Sequence, residues 1–111
     1  MNKSKTVWSI FRDYVNSKPI GSEITRQDIL FNIESGLRAI PEMNERYHKG
    51  WDLFSPATLD TARNMAEKVG YLDKTNKTGI YKVVNHFAPD YTVSQLRKDY
   101  DNGNRCKHNE N

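Results

Sequence analysis

The polar side chains with the most chemistry to offer lie between residues 58 and 82. Thr58, Thr61, Arg63, Asn64 and Lys68 come first, and Lys74, Lys77 and Lys82 follow. They are hydrogen-bond donors and cations with no nucleophile set beside a base, so what they can do is recognise an anion. A lysine ammonium is a flexible point charge that meets phosphate oxygens without reading sequence. Arg63 differs, because a planar guanidinium can donate two parallel bonds to a phosphate or to a guanine edge. Asn64 can pair with adenine, and Thr58 or Thr61 can bond a phosphate or touch a thymine methyl. The same residues would equally make an ordinary solvated helix face. Asp60, Glu67 and Asp73 lie among them, are outnumbered by the basic residues, and would repel phosphate if they faced it. Lys3, Lys5, Arg12 and Lys18 add positive charge near the N-terminus.

Bond-making chemistry finds little support. Cys106 and His108 sit two apart in a polar tail, short of the roughly four ligands that a zinc site takes. His48 and His86 have no acid or nucleophile motif beside them, and there is no G-x-x-x-x-G-K-[ST], G-x-S-x-G or H-E-x-x-H. No enzyme activity, metal or cofactor is expected. The 111 residues suffice for one small domain, and 17 basic against 14 acidic residues leave a net charge of +3. That balance permits a polyanionic partner without demanding one, since a mixed-charge surface explains it as well. A single cysteine rules out an internal disulfide, and no run reaches the roughly 20 apolar residues of a membrane span. With no signal-peptide core after Met1, the expected setting is the cytoplasm. Asn2-Lys3-Ser4 and Asn76-Lys77-Thr78 fit the glycosylation pattern but read as chance in that setting.

The elements that must position the donors can be traced. Ser55 can cap a helix that Pro56 opens, because proline at the first helical position gives up only an N–H that would be unpaired anyway. Leu59, Ala62, Ala66 and Val69 recur at spacings of three and four and form its buried side, with Met65 at the edge. Thr58, Thr61, Arg63, Asn64 and Lys68 are then expected to face outward. Gly70 ends the helix, Tyr71 and Leu72 leave as a strand, and Lys74 to Gly79 make a polar turn. Ile80, Tyr81, Val83 and Val84 form the returning strand, completing a hairpin over 71–84.

Upstream, Val7, Trp8, Phe11, Tyr14 and Val15 describe a first helix from about Thr6 to Asn16, its aromatics sharing one stripe with aliphatics and so belonging to the core rather than to a base-stacking surface. Ser17-Lys18-Pro19 breaks it. Ile20 to Ile24 reads as a short strand, the natural third partner of the hairpin. Thr25 with Asp28 resembles a capping box, and Ile29, Leu30, Ile33 and Leu37 line a second helix from Arg26 to somewhere between Glu34 and Arg38.

The order helix, strand, helix, helix, strand, strand now carries a resemblance. Thr58, Thr61 and Arg63, then Val69-Gly70-Tyr71-Leu72, then Thr78-Gly79-Ile80-Tyr81-Lys82-Val83 are similar to the third helix and wing of winged helix-turn-helix DNA-binding domains. The resemblance covers about residues 5 to 87. It implies an α+β winged-helix fold with a recognition helix for the major groove and a hairpin wing on the phosphate backbone or minor groove.

One departure stands out. A compact helix-turn-helix joins its last two helices by about 3 to 4 residues, whereas about twenty, Glu34 to Phe54, separate them here. Pro41 can start a short extra helix through Tyr47, and Trp51, Leu53 and Phe54 suggest a segment tacked back onto the core. This insertion at 34–54 is either a partner-specific or DNA-contacting appendage or a packed elaboration of the fold. After the wing, residues 85–89 connect to a final helix capped by Asp90 or Thr92, with Val93, Leu96 and Tyr100 as an apolar stripe for the core or for a second copy. A single domain over 1–100 is expected, followed by a disordered polar tail at 101–111.

The function these features predict is double-stranded DNA binding by a small transcription regulator or replication accessory factor, with a homodimer as one arrangement. The rival from another class is a non-enzymatic protein-interaction module on the same scaffold, which the modest charge, the acidic residues and the insertion would suit. RNA binding is a third option. The size and the Asn- and Lys-rich composition are compatible with a bacteriophage or plasmid protein.

Overall fold

Helix α1 (Val7–Asn16) starts at a reciprocal cap between Thr6 and Ser9 in the computed structural model of the chain, which describes residues 6–104. Trp8, Ile10, Phe11, Tyr14 and Val15 all turn inward, as one apolar stripe requires. The rest of the order is β1 (Glu23–Thr25), α2 (Arg26–Arg38), α3 (Pro41–His48), α4 (Pro56–Val69), β2 (Leu72–Lys74), β3 (Ile80–Val83) and α5 (Val93–Asp101). The fold is therefore α+β, with five helices and a three-stranded antiparallel sheet in the order β1-β3-β2.

Strand β1 is shorter and later than the 20–24 segment expected. Ser22 folds back on Pro19, its N–H and hydroxyl both donating to the Pro19 carbonyl, so the chain turns there and Ile20 stays exposed. Ile24 alone carries β1 into the core. In the sheet, Ile24 pairs with Tyr81 and Leu72 with Val83, and these four side chains are buried beneath the helices.

The core draws on every element except α3. Phe11, Val15, Ile24, Ile29, Ile33, Leu59, Leu72, Val83 and Leu96 are fully buried. Two glycines are structural. Gly70 adopts φ 112°, a left-handed conformation that costs an L side chain strain, and so ends α4 and starts β2. Gly36 lies where α1 crosses α2, and a Cβ there would stand 2.9 Å from Ile10 Cδ1.

Residues 85–89 are a connector in name only. The Asn16 side-chain amide exchanges two hydrogen bonds with the backbone of Phe87, and Asn85 donates to the Gly70 carbonyl. Phe87 is buried, stacked on Tyr71 at 4.1 Å and edge-on to Trp8 at 5.1 Å. Trp8 and Phe11 are core residues, as their stripe implied. Tyr91 joins this aromatic group and donates its hydroxyl to Asp99, and burial, with that bond second, pushes its phenol pKa up.

Boundaries sharpen or move. Helix α2 reaches Arg38, the far end of its expected range, so the irregular part of the insertion begins at Ala39, and α3 follows as a separate helix to His48. Leu53 and Phe54 pack on the core, but Trp51 does not and is 60% exposed. Thr92 caps α5, of whose stripe only Leu96 is buried, with Val93 and Tyr100 exposed. The helix continues to Asp101, and Asn104 closes on Asp99 through its N–H, so a domain limit at 100 falls inside a helix. Of the tail, 105–111 lies outside the described residues, as do Lys3, Lys5, Cys106 and His108.

Candidate nucleic-acid interface

Helix α4 is placed by its two ends. Ser55 accepts a hydrogen bond from the Ala57 N–H, Pro56 occupies the first turn, and the Tyr71 N–H returns to the Ala66 carbonyl beside Gly70. Its buried side is Leu59, Ala62, Met65, Ala66 and Val69. Ala57, Thr61, Asn64 and Lys68, spaced four, three and four apart, form an exposed arc, and Thr58 beside it is exposed too. Thr61 has its hydroxyl donated to the Ala57 carbonyl at 3.0 Å, which leaves it as an acceptor or a methyl contact for anything outside.

Arg63 is not on that arc, and the expectation that it faces outward is corrected. Its side chain is only 15% exposed, and its guanidinium lies 4.6 Å over the ring of Tyr81 in β3. Asp60 at 3.8 Å and Glu67 at 3.6 Å flank it. The Arg63 Nε and Glu67 Oε1 are buried without a hydrogen-bond partner among the described residues, so the contact is a charge pairing rather than a directed bond. A planar cation on an aromatic face is favourable in this position. Arg63 therefore braces α4 against the hairpin rather than projecting from the exposed arc.

The three hairpin lysines point to three places. Lys74 shares the helix-facing side of the sheet with Tyr81 and reaches Glu67 at 4.0 Å. Lys82 lies on the other side, directly across from Glu23 of β1 and Asp73 of β2, where its charge is locally balanced. Lys77 is exposed at the tip, in a turn that the Thr75 hydroxyl organises by accepting from the Lys77 N–H and sitting 2.9 Å from the Ile80 carbonyl. Arg63, Asn64, Lys74 and Lys77 thus line one cleft of about 300 Å³ between α4 and the hairpin. Thr58 and Thr61 instead border a larger groove against α1 and α5, so the eight expected donors do not form one surface.

The residue that sequence reasoning passed over is Arg26. At the start of α2, its Nε and Nη2 each lie 3.0 Å from one carboxylate oxygen of Asp60 on α4. Its backbone N–H donates to the Gly79 carbonyl in the hairpin turn at 2.8 Å. One residue thereby ties α2, α4 and the wing together. The hydrogen bond from Arg26, opposed by partial burial, lowers the Asp60 pKa, and the nearby Arg26 and Arg63 charges add to the lowering. Asp60 and Glu67 are consequently neutralised by Arg26, Arg63 and Lys74 rather than left to repel an approaching phosphate. Nothing in the sequence around Thr25-Arg26 signals this pairing, which links residues 34 positions apart.

Among the described residues, no three His, Cys, Asp or Glu side chains gather as metal ligands, and no helix is long and apolar enough to cross a membrane. Comparison of the chain with protein-family models, with curated proteins and with solved structures finds no match.

Proposed function

We propose that the chain is a winged-helix domain that binds double-stranded DNA, as a small transcription regulator or replication accessory factor. The observation that carries this reading is the pairing of an exposed polar arc on α4, Thr61, Asn64 and Lys68, with a braced hairpin whose tip presents Lys77. A helix of about 10–12 Å diameter fits the B-DNA major groove, which is about 12 Å wide. With α4 inserted there, Asn64 meets base edges, Thr61 offers its methyl, and Lys68 and Lys77 meet phosphates on either side. Arg63, Lys74, Arg26 and Asp60 hold the helix-to-wing angle. Lys82 lies outside this surface, and Thr58 is at its margin.

The test is affinity for random-sequence duplex DNA at two salt concentrations, for wild type, Asn64→Ala and Lys77→Ala. Both exposed residues are chosen because an Arg63 variant would disturb the brace as well as any contact. Binding that weakens steeply with salt and falls in both variants supports the reading. Undetectable binding at low salt discards it.

A second reading, a protein-interaction module, is favoured by Phe31 and Trp51. They are 67% and 60% exposed and, with Tyr47, border a groove of about 570 Å³ between α2 and the insertion. Exposed large aromatics clustered on a small domain mark interaction surfaces more often than solvent-facing ones scattered singly. Retention of a partner by wild type but not by Trp51→Ala, with DNA binding absent, is the result that would favour it.

A further inference from the structure

A third concavity is distinct from the α4-hairpin cleft and the aromatic groove. It is a groove of about 680 Å³ where the first turns of α1 and α5 meet α4, within the range of about 300–1,000 Å³ that small-molecule sites occupy. Its floor is apolar, built from Trp8, Leu59 and Met65, with Val93 exposed at the side. Its charged lining is of one sign. Arg12 of α1 and Arg97 of α5 both border it, and no Asp or Glu does. Arg12 is held by Asp13 and by the Tyr91 carbonyl. Arg97 is exposed and enters no hydrogen bond or ion pair among the described residues.

We propose that this groove binds an amphipathic organic anion, a molecule with an apolar body and a single carboxylate. The apolar floor takes the body, releasing water from both surfaces, and Arg97 pairs with the carboxylate in the fork geometry that guanidinium and carboxylate share. A cationic amphiphile meets the Arg97 guanidinium with no carboxylate lining the groove to balance it, and a neutral one leaves Arg97 unused. This inference stands apart from the DNA reading: of the eight expected donors the groove is lined only by Thr58 and Thr61, and its binding is measured without nucleic acid.

The experiment uses the full chain carrying Trp51→Phe, so that Trp8 in the groove is the only indole reporter of the two tryptophans. Decanoate, decanol and decyltrimethylammonium are titrated below their aggregation limits, with Arg97→Gln and Val93→Phe as variants at exposed positions. Decanoate is expected to saturate the Trp8 signal at one per chain and to raise the thermal midpoint. Arg97→Gln should weaken decanoate by roughly tenfold while leaving decanol unchanged, as loss of one charge-assisted fork predicts. Val93→Phe should weaken both by narrowing the groove. Decyltrimethylammonium binding as tightly as decanoate would overturn the proposal, and so would decanoate binding indifferent to Arg97→Gln or an absence of saturable binding. A chain that sediments as a stable dimer and becomes monomeric with Val93→Phe would overturn it too, because a second copy would then occupy the groove.

Discussion

Arg63 and Asp60 show how far a residue's role depends on what folds against it. In the sequence Arg63 is a candidate for a base edge or a phosphate, yet it spends its cation on Tyr81, Asp60 and Glu67. Nothing in its helical position foretells this, because the ring arrives from a strand eighteen residues later. Arg63→Ala is expected to destabilise the fold by about 1–2 kcal/mol through lost packing and stacking. In a double-mutant cycle with Tyr81→Leu, a coupling of about 0.5–1 kcal/mol should appear in chemical denaturation, and additivity would remove the stacking argument. Asp60 makes the pH-dependent counterpart. Its folded pKa lies below the usual 3.8, chiefly through the bond from Arg26. A depressed carboxylate contributes stability that is complete above the unfolded pKa of about 3.9 and is lost as pH falls through the folded one. The stability gap between wild type and Asp60→Asn should therefore be open at neutral pH and close progressively below about pH 4. A gap that stays constant down to the acid transition would mean that the pair contributes no pH-linked stability.

At the scale of elements, legibility followed local chemistry. Helix α4 begins and ends where Ser55-Pro56 and Gly70 indicate, because a cap, a proline and a left-handed glycine act on their own backbone. Helix α1 lies where its apolar stripe indicates, its Thr6 cap having gone unread, and α5 starts after Thr92, one of its two expected caps. Strand β1 was misplaced because its start is decided by a side-chain bond to Pro19 that β-propensity does not register. The geometry of α2 against α4 was also illegible. A short turn would set that angle directly, but residues 39–55 cannot, and the bidentate Arg26-Asp60 bridge does so across the gap. The crossing of α1 and α2 depends on a glycine that looks out of place in a helix. Gly36→Ala gains up to about 1 kcal/mol of helix propensity but drives a methyl against Ile10, and overpacking of that kind costs about 1–3 kcal/mol. The net expectation is a destabilised protein with a lowered thermal midpoint. Replacing Ile10 by Val removes the Cδ1 atom of the 2.9 Å approach. Gly36→Ala should then be better tolerated in the Ile10→Val background than alone, and equal costs in both backgrounds would show that α1 and α2 separate rather than clash.

For the whole molecule, the net charge of +3 conceals where the charge is usable. Five basic residues between 56 and 83 suggested a broad cationic face, but Arg63 and Lys74 are engaged with Asp60 and Glu67, and Lys82 faces Glu23 and Asp73. Lys77 at the hairpin tip and Lys68 on the exposed arc of α4 are the two that the proposed docking uses. A sequence could list these lysines but not sort them, because sorting requires the strand register and the tilt of α4 over the sheet. The consequence is quantitative. Each phosphate neutralised on B-DNA contributes about −0.9 to the slope of log affinity against log salt concentration. A single copy using these two lysines should therefore show a slope near −2, and a pair of copies on one site roughly twice that. Lys77→Ala should flatten the slope by about one per copy, since its contact is with phosphate. Asn64→Ala should weaken binding at every salt concentration without changing the slope, because a base-edge contact releases no counterion. If Lys82→Ala flattens the slope as much as Lys77→Ala does, the outer face of the sheet rather than α4 and the hairpin tip lies against the nucleic acid, and the docking proposed above is wrong.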